Sequence, residues 1–436
     1  MTRTLSGSQL WNKAKTLIPG GNQLLSKRAE MFLPDHWPAY YSKAEATFLW
    51  SLDGCKFLDM SLMGVGTNTL GYSNEKVDQA AMHAVKHGNL TTLNCPEEVY
   101  LAERLVELHD WADMVRFARS GGEANAISIR IGRAASGREG VAFCGYHGWH
   151  DWYLAANLGQ DSNLNSHLLR GLEPNGVPSS LKNTVHPFEY NDLAHLEHLI
   201  ATENIGVIKM EVIRNKPPES DFLHKVRKLA SNHNIVLIFD ECTSGFRETF
   251  GGLHKKFGVE PDLAVFGKAL GNGYALTAVI GSRDIMEAAQ TTFISSTFWT
   301  ERVGPSAALA CLDEMEALQS WKILPELGRV MKNGWQELAQ SHDLKINIQG
   351  IDAIPSFSLV SDHWLETKTL ISQEMLKKNI LASNLFYPSV VHSQGLFDQY
   401  FNALDIVFKR IAQHDDNDIA ALLDGPVCHS GFNRLN

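Results

Sequence analysis

Ile235-Val236-Leu237-Ile238-Phe239-Asp240-Glu241 is a run of five apolar residues closed by two acids. It is too short for a buried helix and too continuous for a half-exposed strand, so it reads as a strand covered on both faces. Working outward, comparable runs occur at Met114 to Ala118, Gly140 to Phe143, Ile205 to Met210 and Leu263 to Phe266, with helical periodicity between them. This alternation, sustained from about Ser73 to Leu318, predicts an α/β domain whose mostly parallel sheet is covered by helices.

The flanks read differently. An amphipathic helix is expected around Gln9 to Leu17, broken at Ile18-Pro19-Gly20-Gly21, and Thr47 to Leu52 reads as a strand before the hairpin signal Asp53-Gly54. Beyond Trp321 the pattern predicts a strand over Ile351 to Leu359 and a closing helix over Phe397 to Ile411. The expected division is therefore an N-terminal arm and small-domain segment at 1–60, a large domain at 61–320 and a small C-terminal domain at 321–436.

Composition excludes several classes of function. With 49 acidic and 39 basic residues among 436, the formal charge is −10 and no long single-sign run stands out, which argues against a nucleic-acid footprint or a basic membrane-binding face. No stretch approaches the roughly 20 apolar residues of a membrane span, and the first residues lack a signal-peptide core, so a cytoplasmic location is expected. The six cysteines form no CxxC pair, so no structural zinc site or disulfide framework is expected.

In an open parallel sheet, ligands bind outside the carboxyl ends of the strands. Asp240 stands at such an end, where a carboxylate is costly unless it meets a cation; the plainer reading is a loop or N-cap acid. Lys268, in Phe266-Gly267-Lys268-Ala269-Leu270-Gly271-Asn272-Gly273, reads as an amine nucleophile in a backbone open to close approach, or else as a surface lysine beside a glycine turn. Asp240 and Lys268 are 28 residues apart, about one crossover, which places both at the same edge of neighbouring strands. Ser120-Gly121-Gly122-Glu123 offers free N–H groups at a helix start, a phosphate cradle, although Ser120 is equally suited to be a simple N-cap. Tyr146 offers a flat stacking face and His147 a polar edge, while His147-x-x-His150 lacks the further ligands a metal needs. A phosphate cradle, a stacking face, a buried carboxylate and an amine together describe pyridoxal 5'-phosphate (PLP), held by Lys268 as a Schiff base with its ring nitrogen kept protonated by Asp240.

At these residues the sequence resembles the class III (fold type I) aminotransferases, most closely the branch related to glutamate-1-semialdehyde aminomutase. The resemblance runs through Ile18-Pro19-Gly20-Gly21, Asp53-Gly54, Gly71-Tyr72, Ser120 to Ala124, Tyr146-His147-Gly148, Asp240-Glu241 with Gly245-Phe246-Arg247, and Lys268. It implies a mostly parallel sheet of the seven-stranded type with helices on both faces, plus a smaller α+β domain built from the N- and C-terminal segments. It also implies Lys268 as the cofactor lysine and proton shuttle, Asp240 as the pyridinium partner, Tyr146 as the stacking ring and Gly121-Gly122 as the phosphate turn. Glu211 resembles the family's active-site glutamate. Thr297 resembles a threonine that reaches the phosphate of a neighbouring subunit, which implies a homodimer with shared active sites.

The expected activity is amino transfer from a donor such as L-glutamate to a carbonyl acceptor, with Lys268 as acid and base; a polar or sugar carbonyl is suggested by Trp149, Trp152 and Trp299. The alternatives are intramolecular transfer by a glutamate-1-semialdehyde 2,1-aminomutase and a module that binds PLP without turnover. Three departures from the family pattern favour intermolecular transfer. Gly122 stands where the family often has threonine, the bulky run Phe298 to Pro305 replaces a small turn, and the segment from Trp149 to Pro187 lacks a close match to the aminomutase gating loop. Lys27, Arg28, Arg247 and Arg302 are the candidate partners for a substrate anion.

Overall fold

The computed structural model describes residues 5–159, 163–165, 167 and 171–431. The chain divides into two compact units, Met1–Asn74 with Ile323–Asn436, and Glu75–Lys322.

The unit Glu75–Lys322 is built on a seven-stranded sheet. Its order across the sheet is Met114–Ala118, Thr277–Gly281, Leu263–Phe266, Val236–Glu241, Ile205–Met210, Gly140–Cys144 and Val185–Pro187. Every pairing from Leu263–Phe266 to Val185–Pro187 is parallel, and Thr277–Gly281 alone runs antiparallel, to both of its neighbours. All six residues of Ile205–Met210 and of Val236–Glu241 are buried, as central strands covered on both faces must be. Helix Gly121–Ser136 packs Ala124, Ile127 and Ile131 into the core that holds Val141, Val207, Ile238 and Val265. The register sets the site: Asp240 lies opposite Val265 and Glu241 opposite Phe266, so both strands finish at one edge.

The other unit joins the two ends of the chain. Tyr41–Glu45, Phe48–Ser51 and Lys56–Asp59 form an antiparallel meander, and Ile380–Leu381 adds in parallel beside Leu58 and Asp59. Its core gathers Leu58, Met60, Trp335, Phe357, Phe386, Tyr400 and Phe408, with Trp335 Nε1 donating to Tyr400 Oη at 2.9 Å. Residues 61–74, which the sequence pattern groups with the large domain, pack here instead. Ala46 and Tyr72 exchange backbone hydrogen bonds of 3.0 and 2.8 Å, and Tyr72 Oη donates to Asp59 Oδ2 at 2.7 Å.

Two expected elements shift. The strand predicted over Ile351 to Leu359 is confined to Ser356–Leu359, because Pro355 has no N–H for a ladder; its partner is Ile346–Gln349. The closing helix is longer than its apolar stripe, Gln394–Ala412.

Candidate functional site

Three strand ends of the unit Glu75–Lys322 meet around the sulfur of Cys242. A Cβ built on Gly121 or on Gly267 would lie 3.5 Å from Cys242 Sγ, so the turn after Met114–Ala118 and the loop after Leu263–Phe266 both close on the residue next after Val236–Glu241. Burial raises the Cys242 thiol pKa, Asp240 raises it further, and the Lys268 charge opposes them. Asp240 and Lys268 therefore flank the same group.

Asp240 is 4% exposed. Its Oδ2 accepts from His147 Nδ1 at 2.8 Å and its Oδ1 from the Cys242 N–H at 3.1 Å. Burial pushes its pKa up, but the His147 hydrogen bond and the Lys209 charge more than offset this and hold the carboxyl well below the ordinary range. His147 is fully buried, and its Nε2 faces the Cys144 carbonyl at 3.1 Å. Both of its ring nitrogens are thus engaged inside the protein, so it positions Asp240 rather than offering a polar edge to a ligand.

Lys268 occupies the left-handed region with φ +46°, a conformation that side chains rarely adopt and that tertiary structure must impose. Its Nζ donates to Thr243 Oγ1 at 2.8 Å. Thr243 is placed in turn by Arg247, whose Nε donates to the Thr243 carbonyl at 2.5 Å.

Ser120 is the N-cap of helix Gly121–Ser136 in a capping box: Glu123 N–H donates to Ser120 Oγ at 3.4 Å, and Ser120 N–H to Glu123 Oε2 at 2.8 Å. Its polar groups are spent on the cap, and the first-turn N–H groups of Gly121 and Gly122 are left without intrahelical partners. Tyr146 feels two opposite charges. Burial raises its pKa, with Arg214 acting against this and Asp240 with it, and its N–H makes a long 3.5 Å contact to Glu211 Oε2. Glu211 itself is held by Arg214 Nη1 at 3.0 and 3.2 Å.

Thr297 is exposed, in a turn where its carbonyl accepts from Thr300 Oγ1 at 2.9 Å. The bulky run after it folds back on the protein. Trp299 Nε1 donates to Glu123 Oε1, Glu301 pairs with Arg119 at 3.1 Å, and Arg302 forks onto Glu97 at 2.9 and 2.6 Å. Arg302 is thereby removed as a substrate-anion partner, and fully buried Arg247 serves Thr243; Lys27 and Arg28 belong to the other unit. Of the three tryptophans proposed to meet a polar ring, Trp152 is buried, Trp299 is tied to Glu123, and Trp149 is 66% exposed. The segment from Trp149 to Pro187 falls partly outside the described residues, at 160–162, 166 and 168–170.

Sequence reasoning missed Thr243, Lys209 and Arg214. Thr243 and Arg214 each lie three residues after a predicted acid, Asp240 and Glu211, and the strand-end rule reaches both. Lys209 gave no signal, because a lysine inside an apolar run reads as outward-facing; it is fully buried, and its Nζ donates to Ser128 Oγ at 3.0 Å.

These residues fit PLP on grounds internal to the structure: two helix N–H groups without partners, a carboxylate held ionised, a strained lysine at the same edge, and a tyrosine within reach of the Asp240 charge. Comparisons with known proteins agree. The family model for class-III aminotransferases matches residues 33–384. The 3-aminobutyryl-CoA aminotransferase of Cloacimonas acidaminovorans is 28% identical over 85% of this chain and 88% of its own. The glutamate-1-semialdehyde 2,1-aminomutase of Sulfolobus acidocaldarius is 33% identical over 77% of this chain and 79% of its own. Among solved structures, the PLP internal aldimine form of the FumI protein of Sphingopyxis sp. MTA144 superposes with a TM-score of 0.85 at 23% identity, covering 95% of this chain and 98% of that one.

Proposed function

The chain belongs to the class-III aminotransferases, and from that premise we propose that it is an intermolecular transaminase, moving the amino group of a donor such as L-glutamate to a carbonyl acceptor in two half-reactions. It is a PLP-dependent enzyme of fold type I. Bound PLP supplies an electron sink for the charge left when a proton departs from the substrate carbon. The rest is asked of the protein.

The observation that carries the reading is the pairing of an ionised Asp240 with a strained Lys268 at one edge of adjacent strands. Asp240, kept as the carboxylate by His147, would hold a proton on the ring nitrogen of bound PLP. Lys268 Nζ, which donates to Thr243 Oγ1, would hold the cofactor and would take and return the proton at the substrate carbon. Tyr146 would pack against the ring, the Gly121 and Gly122 N–H groups would take the phosphate, and Glu211, its charge balanced by Arg214, would stand near the cofactor.

A homodimer with Thr297 reaching the partner's site belongs to the same proposal. Leu93, Phe293 and Phe298 are 81, 83 and 69% exposed, and the Arg302 N–H donates to the Asn89 carbonyl at 2.8 Å, which ties the stretch before Leu93 to the stretch after Phe298. An exposed apolar surface of this kind suits a subunit interface. Among the described residues no helix is long and apolar enough to cross a membrane, and a cytoplasmic location is part of the proposal.

The second reading is a glutamate-1-semialdehyde 2,1-aminomutase, favoured by the 33% identity to an enzyme of that name. Donor dependence separates the two. A transaminase releases 2-oxoglutarate from L-glutamate in stoichiometric amount with enzyme before any acceptor is added; a mutase converts its single substrate with no external donor.

A further inference from the structure

We propose that Lys209 is a counter-charge of Asp240 in the cofactor-free protein, and that it releases a proton to solvent when the charged ring of PLP takes its place. The inference rests on the PLP-dependent reading of the site.

Lys209 interrupts the apolar strand Ile205–Met210 and is fully buried with it. Its flanks offer nothing to a charge: Phe143 stands opposite it on one neighbouring strand and Ile238 on the other. The helix Gly121–Ser136 supplies Ser128, whose Oγ accepts from Lys209 Nζ at 3.0 Å and donates to the Asn125 carbonyl at 2.8 Å. Among the described residues this is the one hydrogen bond that Lys209 makes. An ammonium has three N–H donors, so two stay in the core without an acceptor. A charge buried in that way is costly unless an opposite charge acts on it.

Asp240 is that charge. It lies two positions beyond Ile238, so it leaves the sheet on the same face as Lys209, one diagonal step away on the adjacent strand. Burial lowers the Lys209 pKa to about 8, with Asp240 and then Cys242 acting against it. At Asp240 burial works upward, and the His147 hydrogen bond and then the Lys209 charge pull the other way.

A pyridinium facing Asp240 competes with the groups already there. His147 has an acceptor opposite each ring nitrogen, Asp240 Oδ2 at 2.8 Å and the Cys144 carbonyl at 3.1 Å. Lys209 has one acceptor for three donors, so it is the group that yields. One N–H bond of its ammonium breaks, the electron pair stays on nitrogen, and the proton passes to bulk water. The neutral amine keeps its bond to Ser128 and leaves no buried charge to compensate.

The test is calorimetric titration of the full-length apoprotein with PLP at pH 7. Two buffers of different protonation enthalpy, neither containing a primary amine, give the number of protons exchanged per PLP bound. Wild type is expected to release about 0.5 to 1 proton more per site than Lys209→Met. Lys209→Gln, which keeps a donor for Ser128 Oγ, is expected to match Lys209→Met. The carbocyclic analogue of PLP, with C–H in place of the ring nitrogen, carries no ring charge, so with it wild type and both variants exchange equal numbers of protons. Equal exchange by all three proteins with PLP overturns the inference and leaves the functional reading standing; so does the same wild-type excess with the analogue. A wild-type protein that binds no PLP overturns the functional reading itself and the inference with it.

Discussion

His147 Nδ1 lies 2.8 Å from Asp240 Oδ2, with both side chains buried and the other ring nitrogen of His147 turned onto the Cys144 carbonyl. The histidine belongs to the Tyr146-His147-Gly148 turn after one strand and the aspartate to the end of another, so this bond fixes how that turn and the carboxylate stand to each other. His147→Ala is expected to lower kcat/KM by on the order of 10-fold to 100-fold, by analogy with the loss when a hydrogen-bond partner of a metal ligand is removed. Asp240→Asn costs more, because it removes the charge itself. Steady-state kinetics of both variants, with PLP affinity measured alongside, check the order of the two effects.

The same pair makes stability depend on acidity. The Asp240 carboxyl in the folded protein lies below its ordinary value, as does that of Glu241, which burial raises but His254 at 2.7 Å pulls down more strongly. A depressed carboxyl contributes stability that is fully present above the unfolded value near about 4 and is lost as pH falls through the folded one. Urea unfolding of the apoprotein is expected to weaken steadily below about pH 4. In Asp240→Asn that slope is shallower; an identical slope contradicts the assignment.

Lys209 predicts a gain of stability with rising pH in a second, alkaline window. Burial lowers its pKa to about 8, although Asp240 works to raise it. Between about 8 and the ordinary lysine value near 10.4 the unfolded chain binds a proton that the folded chain does not, so wild-type stability gains with rising pH in that window. Lys209→Met removes a buried charge. Its melting temperature is expected to exceed the wild-type value at pH 7, with the advantage shrinking towards pH 10, as differential scanning calorimetry would record.

Gly145 is the backbone counterpart. It has φ +114°, and a Cβ on it would lie 2.7 Å from Glu211 Oε2, the carboxylate held by Arg214. Gly145→Ala combines an unfavourable conformation with displacement of that carboxylate, and a loss of about 1–3 kcal/mol in unfolding free energy is expected. A neutral result in chemical denaturation means that the loop relaxes.

Much of this was legible in the sequence because buried parallel strands announce themselves as short apolar runs, and the residues just past the end of each run are the ones that meet a ligand. Asp240, Lys268, Gly121 and Tyr146 were singled out in that way, and the strands that carry Asp240 and lead to Lys268 finish at one edge. The antiparallel strand Thr277–Gly281 escaped, since Thr-Ala-Val-Ile-Gly is brief and ends in a glycine, and only its pairing with Phe266 and Ala118 marks it as central. The role of His147 escaped for another reason. A sequence shows which residue is near in the chain, whereas its partner Asp240 is 93 positions away. Ser120 shows the limit of motif reading, because the same serine suits a phosphate turn and a helix cap, and the structure spends its groups on the cap. The reach of Lys209 into the core depends on how closely a helix packs over the strand, which no pattern along one segment carries.

Lys268 is the residue on which the account turns. Lys268→Ala is expected to lower amino transfer by on the order of 10²-fold to 10⁴-fold, the contribution of a positioned acid and base, and to abolish covalent labelling by PLP and borohydride, with mass spectrometry locating the wild-type label at Lys268. Labelling elsewhere displaces it from the role.

The most direct measurement is titration of the PLP-loaded protein with L-glutamate, following visible absorbance and 2-oxoglutarate in one cuvette. Bleaching of the yellow band with one equivalent of 2-oxoglutarate released per site is the predicted result. A yellow band indifferent to glutamate and to other amino donors contradicts intermolecular transfer, and a protein that stays colourless on addition of PLP contradicts the assembly of Asp240 and Lys268 as a cofactor site.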